Sequence, residues 1–219
     1  MWDNPQLWNL LINALWETVY MVGIALILSA LLGFPLGVLL VITSPGHLRP
    51  NRVIHNTLAL IVNVGRSLPF IILLVAIVPF TRWVVGTSIG TPGAIVPLTI
   101  GAIPFIARVM ESALLEVDPG VIEAVQAMGA NTWQIILKVM IPESRSGLIL
   151  GLTITAVSLV GYSAMAGAVG GGGLGDLAIR YGYQRFQPEV TLATVIALVL
   201  LVQGTQSVGD WIARRFNRH

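Results

Sequence analysis

Glu123-Ala124-Val125-Gln126-Ala127-Met128-Gly129, followed after nine residues by Val139-Met140-Ile141-Pro142, is a polar, helix-forming island between long apolar runs. A segment of that kind forms a loop that reaches out of a membrane. Its local chemistry is that of a helical hairpin. Asp118 is a cap candidate, Pro119 suits the first helical position, and Gly129 suits the left-handed residue that closes a helix. Asn131 can cap a second helix running through Trp133, Ile136 and Val139, and Pro142 is expected to end it. Val121, Ile122, Val125 and Met128 fall on or near one face of the first helix. A helical hairpin is unremarkable in any loop, but exposed Val121, Ile122 and Met128 on so short an element call for a partner's groove.

Composition sets the class independently. Hydrophobic residues make up 55% of the chain and charged residues 10%, against roughly 25% charged in soluble domains. Mean hydropathy is +0.84. Crossing the hydrocarbon core takes about 20 apolar residues. Residues 18–48, 83–107, 146–175 and 190–209 contain no Asp, Glu, Lys or Arg, and a fifth run, 53–81, is interrupted only by Arg66. The expected fold is all-α: a polytopic bundle of about five transmembrane helices. A barrel would need short alternating strands, and these runs are continuous.

Several classes drop out. Residues 1–17 carry Asp3 and Glu17 but no Lys or Arg, unlike a cleavable signal, and the first apolar run is too long for one. There is no cysteine, so thiol chemistry and disulfides are excluded. The pI near 9.4 rests on an excess of only +2, too small and too dispersed for a nucleic-acid partner. His47 and His55 have no third ligand near them, so no metal site is expected. The only lysine, Lys138, follows Leu137, so no phosphate-binding Gly-Lys loop exists and the chain cannot power transport itself. Glu111, Glu116, Asp118 and Glu123 cluster on one side, leaving no carboxylate within a span for a proton-coupled carrier. No catalytic constellation is present either, so an enzyme is not expected.

Charge gives the orientation. With five spans and the N-terminus outside, Arg49, Arg52, Arg108, Lys138, Arg145, Arg214, Arg215 and Arg218 lie inside, and Arg82, Arg180 and Arg185 lie outside. The positive-inside rule favours that arrangement. It places the loop at 116–143 and the basic tail ending in His219 in the cytoplasm, where the tail meets anionic lipid.

Within the spans, Gly33-Phe34-Pro35-Leu36-Gly37 is expected to give a close-packing face kinked at Pro35, or a hinge. Pro97 and Pro104 are expected to break the third helix, which runs to about Arg108. Arg66 either snorkels to the inner interface, with Pro69 early in the span, or serves the pathway or an ATPase-facing surface. Gly170, Gly172 and Gly175 formally satisfy G-x-G-x-x-G, but they follow a membrane helix and begin no dinucleotide fold. Met165 either fills the core or meets its own copy across a two-fold axis as a gate, backed by Tyr162 and Ser163.

The loop spacing resembles the Glu-Ala-Ala loop of bacterial ABC importer permeases, Glu-Ala-Ala-x3-Gly-x9-Ile-x-Leu-Pro. Glu123, Ala124, Gly129 and Pro142 match it, while Val125, Val139 and Ile141 depart conservatively. Arg66-Ser67-Leu68-Pro69-Phe70, Val85-Gly86-Thr87-Ser88-Ile89-Gly90, Phe105-Ile106-Ala107-Arg108 and Val160-Gly161-Tyr162-Ser163-Ala164-Met165 resemble the permease of bacterial methionine importers. The resemblance implies one transmembrane domain over 1–219, of type I ABC importer architecture, in the bacterial inner membrane. It implies a homodimer, a separate ATP-binding cassette ATPase dimer that uses the ATP, and an extracytoplasmic lipid-anchored methionine-binding protein. Glu123, Ala124, Ala127, Met128, Gly129 and Pro142 would couple to the ATPase. The substrate, L-methionine and its D-isomer, rests on the resemblance. Another amino acid or, more distantly, a secondary carrier are the alternatives.

Overall fold

The computed structural model describes residues 5–216, and every regular element among them is helical. Helix α1 (Pro5–Thr43) begins well before the uncharged run at residue 18 and passes through Pro35 without interruption. Glu17, which set the expected boundary, is engaged within the fold: its carboxylate accepts from the Gly173 backbone N–H at 2.7 Å. Thr18 alongside accepts from the Leu174 N–H at 2.9 Å.

The second span is where the chain departs most from a simple rod. Helix α2 (Arg52–Ser67) is capped by Asn51, whose side chain accepts from Val53 and Ile54 N–H. It stops at Leu68, whose φ of −79° and ψ of 123° are extended, because a residue before proline is driven out of the helical region. Pro69 then leads into α3 (Phe70–Ala76) at an angle of 100° to α2. Helix α4 (Val78–Val85) continues to Gly86, whose φ of +78° ends it. The expected run 53–81 is therefore a bent pair followed by a short helix.

Helix α5 (Gly90–Leu115) keeps Pro97 and Pro104 inside an unbroken helix, contrary to the expected break, and extends past Arg108. Both prolines are buried, the setting in which a membrane helix tolerates proline. Outside the long helices lie α6 (Pro119–Ala127), α7 (Thr132–Ile135) and α8 (Ile141–Glu143). A wide π-helical turn, Ile136–Met140, joins α7 to α8. Helix α9 (Arg145–Ala168) leads through a glycine hairpin into α10 (Gly173–Leu177), a second wide turn and α11 (Pro188–Phe216). Arg214 and Arg215 close α11; Arg218 and His219 of the expected tail lie outside the described residues.

Four helices are long and apolar enough to cross a membrane, and the bent pair α2–α3, counted as one broken span, brings the number to five. The bundle is organised around α1 and α5. A Cβ on Gly33 would lie 2.9 Å from the Ile103 carbonyl oxygen, and one on Gly37 would lie 2.7 Å from that of Ala107. The two backbones touch, as small residues one turn apart allow. Val38, Val41, Ile106, Met110, Ala113, Leu114 and Leu148 fill the core beside this crossing. Arg108 ties α5 to α2: it pairs with buried Glu111 of its own helix at 2.6 Å and donates to Asn63 of α2 at 2.7 Å. Helix α11, by contrast, exposes Leu192, Val195, Ile196, Val199 and Leu200, a face that lipid solvates without penalty.

Gly37→Val is expected to lower the thermal midpoint of the purified protein, since overpacking costs about 1–3 kcal/mol. Gly23→Ala, whose Cβ meets nothing within 4 Å, is expected to leave it unchanged. Equal midpoints for both variants would remove the crossing from the account.

Candidate functional site

The loop forms the hairpin that its residues predict. Asp118 accepts from the Gly120 N–H at 2.7 Å, with Pro119 in the first turn of α6. Gly129 has φ of +84°. Asn131 and Gln134 form a reciprocal capping box at 2.9 and 2.8 Å. Pro142 does not end the second helix. The turn before it widens instead, with Ile141 N–H bonded to the Ile136 carbonyl five residues back. The helical path thus continues through Pro142 to Glu143 before it pauses at Ser144.

Helix α6 has two faces with different work. Ile122 is buried, not exposed as expected, and packs with Val117, Ile135, Ile136 and Met140 into the same core as Met110 and Leu114 of α5. Glu123, Ala124, Ala127, Met128 and Gly129 all lie on the exposed side. Pro142 is partly buried and belongs to α8, not to α6. The structure therefore brings five of the six candidate coupling residues onto one open surface. Met128 is 77% exposed, and Trp133 (67%) and Leu137 (60%) are exposed one turn apart on the second helical segment. Leu137 was missed in the sequence, although its i,i+4 spacing from Trp133 was a signal. Because the hairpin's inner face is part of the bundle core, a push on its outer face reaches α5 and α1 through packed side chains.

A cavity of about 220 Å³ lies between the turn after α1 and α6, lined by His47, Leu48, Pro119, Ile122 and Glu123 among others. His47 Nδ1 is buried there without a hydrogen-bond partner. Burial holds the His47 pKa below its ordinary value, so the ring is neutral near pH 7. His55 Nδ1 lies 3.0 Å from the Leu40 carbonyl oxygen. Among the described residues no three metal-ligating side chains come together.

At the other end, the glycine-rich stretch is a tight hairpin rather than a nucleotide loop. Gly170, Gly172 and Gly173 have φ of +86°, +80° and +75°. A Cβ on Gly173 would strike Thr18 Oγ1 at 2.6 Å, so only glycine admits α1 this closely. The Glu17 and Thr18 cap on this hairpin carried no sequence signal.

The gate candidates do not share one side of α9. Met165 is 48% exposed, whereas Ser163 is buried and donates to the Val160 carbonyl at 2.7 Å. Tyr162, one turn below Met165, stacks on Phe70 of α3 with ring centroids 4.7 Å apart and planes 9° apart. Tyr162 thus packs on the bent span, Met165 stands exposed, and Ser163 faces the core. Arg66 is not near the loop end: it lines a cavity with Gly101 and Phe105, close to the middle of α5.

Residues 33–219 match the family described as "Binding-protein-dependent transport system inner membrane component". The chain belongs to that family. It is 55% identical over 207 residues, covering 94% of this chain and 92% of its relative, to a protein of Vibrio cholerae named "Probable D-methionine transport system permease protein MetI". It is 46% identical over 210 residues, 96% and 93% of the two chains, to the "Methionine import system permease protein MetP" of Bacillus subtilis. Its fold overlays a chain of the structure titled "Inward facing conformations of the MetNI methionine ABC transporter" with a TM-score of 0.96 at 49% identity, covering 98% of this chain and 100% of that one. The molecule is a multi-pass permease subunit, with the type I fold that its motifs imply.

Gly129→Val is expected to abolish transport while the protein remains in the membrane. A β-branched residue cannot hold a φ of +84° without strain, whereas the Cβ itself would meet nothing within 4 Å. Gly129→Asn, which tolerates that conformation, should keep most activity, and Glu123→Lys should lose it. Uptake equal to wild type in Gly129→Val and Glu123→Lys would contradict the coupling role.

Proposed function

We propose that the chain is the membrane-spanning subunit of an ATP-driven methionine importer, that two copies form the pathway, and that residues 1–219 act as one domain. The observation that carries the coupling part is the two-faced helix α6: Ile122 anchored in the bundle core, and Glu123, Ala124, Ala127 and Met128 open to a partner. The substrate and the partner ATPase follow from the names and title of the similar proteins. Binding of ATP draws the two ATPase subunits together and carries the two hairpins with them. The bundles turn outward to receive the amino acid from an extracytoplasmic, lipid-anchored binding protein. Hydrolysis returns them inward. No step of ATP chemistry falls to this chain, whose part is to bind, exclude and release.

The loop end faces the cytoplasm in this reading, with the N-terminus outside. Arg49, Arg52, Lys138, Arg145, Arg214 and Arg215 gather at that end, and Arg82, Arg180 and Arg185 at the other, as the positive-inside rule favours. Uptake of labelled L-methionine by proteoliposomes holding the permease, its neighbouring ATPase and the binding protein tests the reading. ATP-dependent accumulation, competed by D-methionine but not by other amino acids, is the expected result. Accumulation driven by a proton gradient without ATP would overturn it.

Met165 closes the outer end of the pathway by meeting its copy across the two-fold axis. Its thioether is exposed on one chain, adapts to apolar neighbours and moves aside readily. Met165→Cys is expected to form a cross-subunit disulfide in the resting transporter and to block uptake until reduced. A chain without native cysteine makes that link unambiguous within the permease. Failure to cross-link, or full uptake while cross-linked, would reduce Met165 to packing.

A further inference from the structure

Helix α2 ends in the middle of the bundle rather than at its edge. Gly65 packs on the Pro104 ring, where a Cβ would lie 3.0 Å away, and Pro104 sits near the centre of α5. Leu68 and Pro69 follow with non-helical backbone, and the chain turns by 100°. Non-helical backbone at membrane depth survives only buried in protein or lining a wet cavity, and interrupted helices at that depth mark substrate sites in transporters. Here the break opens onto a cavity of about 230 Å³ lined by Arg66, Phe70, Leu73, Gly101, Phe105 and Tyr162. Arg66 is exposed, and among the described residues its guanidinium makes no hydrogen bond or ion pair. The other arginine at this junction, Arg108, is already held by Glu111 and Asn63.

An arginine kept at mid-depth without a counter-ion is costly unless it serves a ligand or pathway. We infer that this cavity is the substrate subsite of the pathway, with Arg66 binding the α-carboxylate of the transported amino acid. The inference rests on the amino-acid import reading above and adds where, and by what chemistry, the permease itself holds its cargo. A guanidinium matches a carboxylate through two parallel N–H···O bonds. The Tyr162 and Phe105 rings offer faces for the α-ammonium and an apolar wall, with Leu73, for a thioether side chain. The cargo enters as a zwitterion of zero net charge, so one cation and a polarisable wall suffice, and no acidic residue is needed. Tyr162 connects the two functions: it lines the cavity, and Met165 lies one turn farther along α9. The subsite therefore sits directly beneath the proposed gate, and its carboxylate grip is made at the break that interrupts the second span.

The test uses the assembled transporter in proteoliposomes with its binding protein and radiolabelled L-methionine. Arg66→Gln and Arg66→Cys are expected to import about tenfold slower or worse, the effect of losing one charge-assisted hydrogen bond, and Arg66→Lys less so. Treating the Arg66→Cys transporter with aminoethyl methanethiosulfonate should restore uptake, because it returns a cation to the position. The sulfonatoethyl reagent should not. Wild-type transporter treated in parallel controls for thiols on the partner subunits. L-Methionine should also slow the labelling of Arg66→Cys in the assembled complex, a readout that holds even where that variant assembles poorly. Wild-type uptake by Arg66→Gln, equal restoration by both reagents, or labelling indifferent to methionine would each overturn the subsite. A wild-type transporter that imports a different amino acid would instead overturn the methionine reading, and the same series run with that amino acid would decide the subsite.

Discussion

Everything in this molecule hangs on the contact of two helix backbones, α1 and α5, at Gly33 and Gly37. Lipid gives apolar side chains no reason to leave it for one another, so membrane helices associate by close packing and by hydrogen bonds. The missing Cβ atoms let the Ile103 and Ala107 carbonyls come against α1. Around that contact Val38, Val41, Met110 and Leu114 pack without exposure, and α9 joins through Leu148. Ile122, Ile135, Ile136 and Met140 extend the same core out of the bundle and into the loop. A surface that would otherwise be a flexible tether is fixed to the helices of the bundle, as the proposed coupling role requires.

The opposite end is built by polar rather than apolar means. Glu17 and Thr18 satisfy the first N–H groups of the segment after the glycine hairpin, and the hairpin's glycines let α1 come close enough to do so. That joint fastens α1 to α9 and α10 beside the exposed Met165. One helix, α1, is thus locked in its last third by glycine contact and, in its first half, by the Glu17 carboxylate and the buried Thr18 hydroxyl. Between these fixed points the second span breaks at Leu68-Pro69, and the only described arginine without a protein partner near the centre of the bundle stands at the break.

Much of this could be read in the residues. Uncharged runs gave the spans, and Asp118, Gly129 and Asn131 gave the hairpin caps, because these signals act over a few residues and need no partner. The glycine pair at Gly33 and Gly37 announced a close approach but not with which helix. Three features escaped for a common reason: each depends on tertiary context. Pro97 and Pro104 look like helix breakers, yet packing on all sides keeps α5 whole. Pro142 looks like a stop, yet a widened turn at Ile136–Met140 carries the path through it. Ile122 looked like a docking residue, yet α6 turns it inward and leaves Met128 outward. Arg66 was legible as exceptional, but its depth followed only from the contact of Gly65 with Pro104.

The central claim is that the loop and the end of α9 proposed to bear the gate move as one body through the α1–α5 contact. Spin labels at Gln126→Cys on α6 and, separately, at Val169→Cys beyond the end of α9 would report it as label-to-label distances between the two copies of the assembled transporter. Both distances should change together when a non-hydrolysable ATP analogue is added, and Gly37→Val should weaken the response at Val169→Cys more than at Gln126→Cys. A hairpin that moves on nucleotide binding while the distance at Val169→Cys stays fixed would contradict the account.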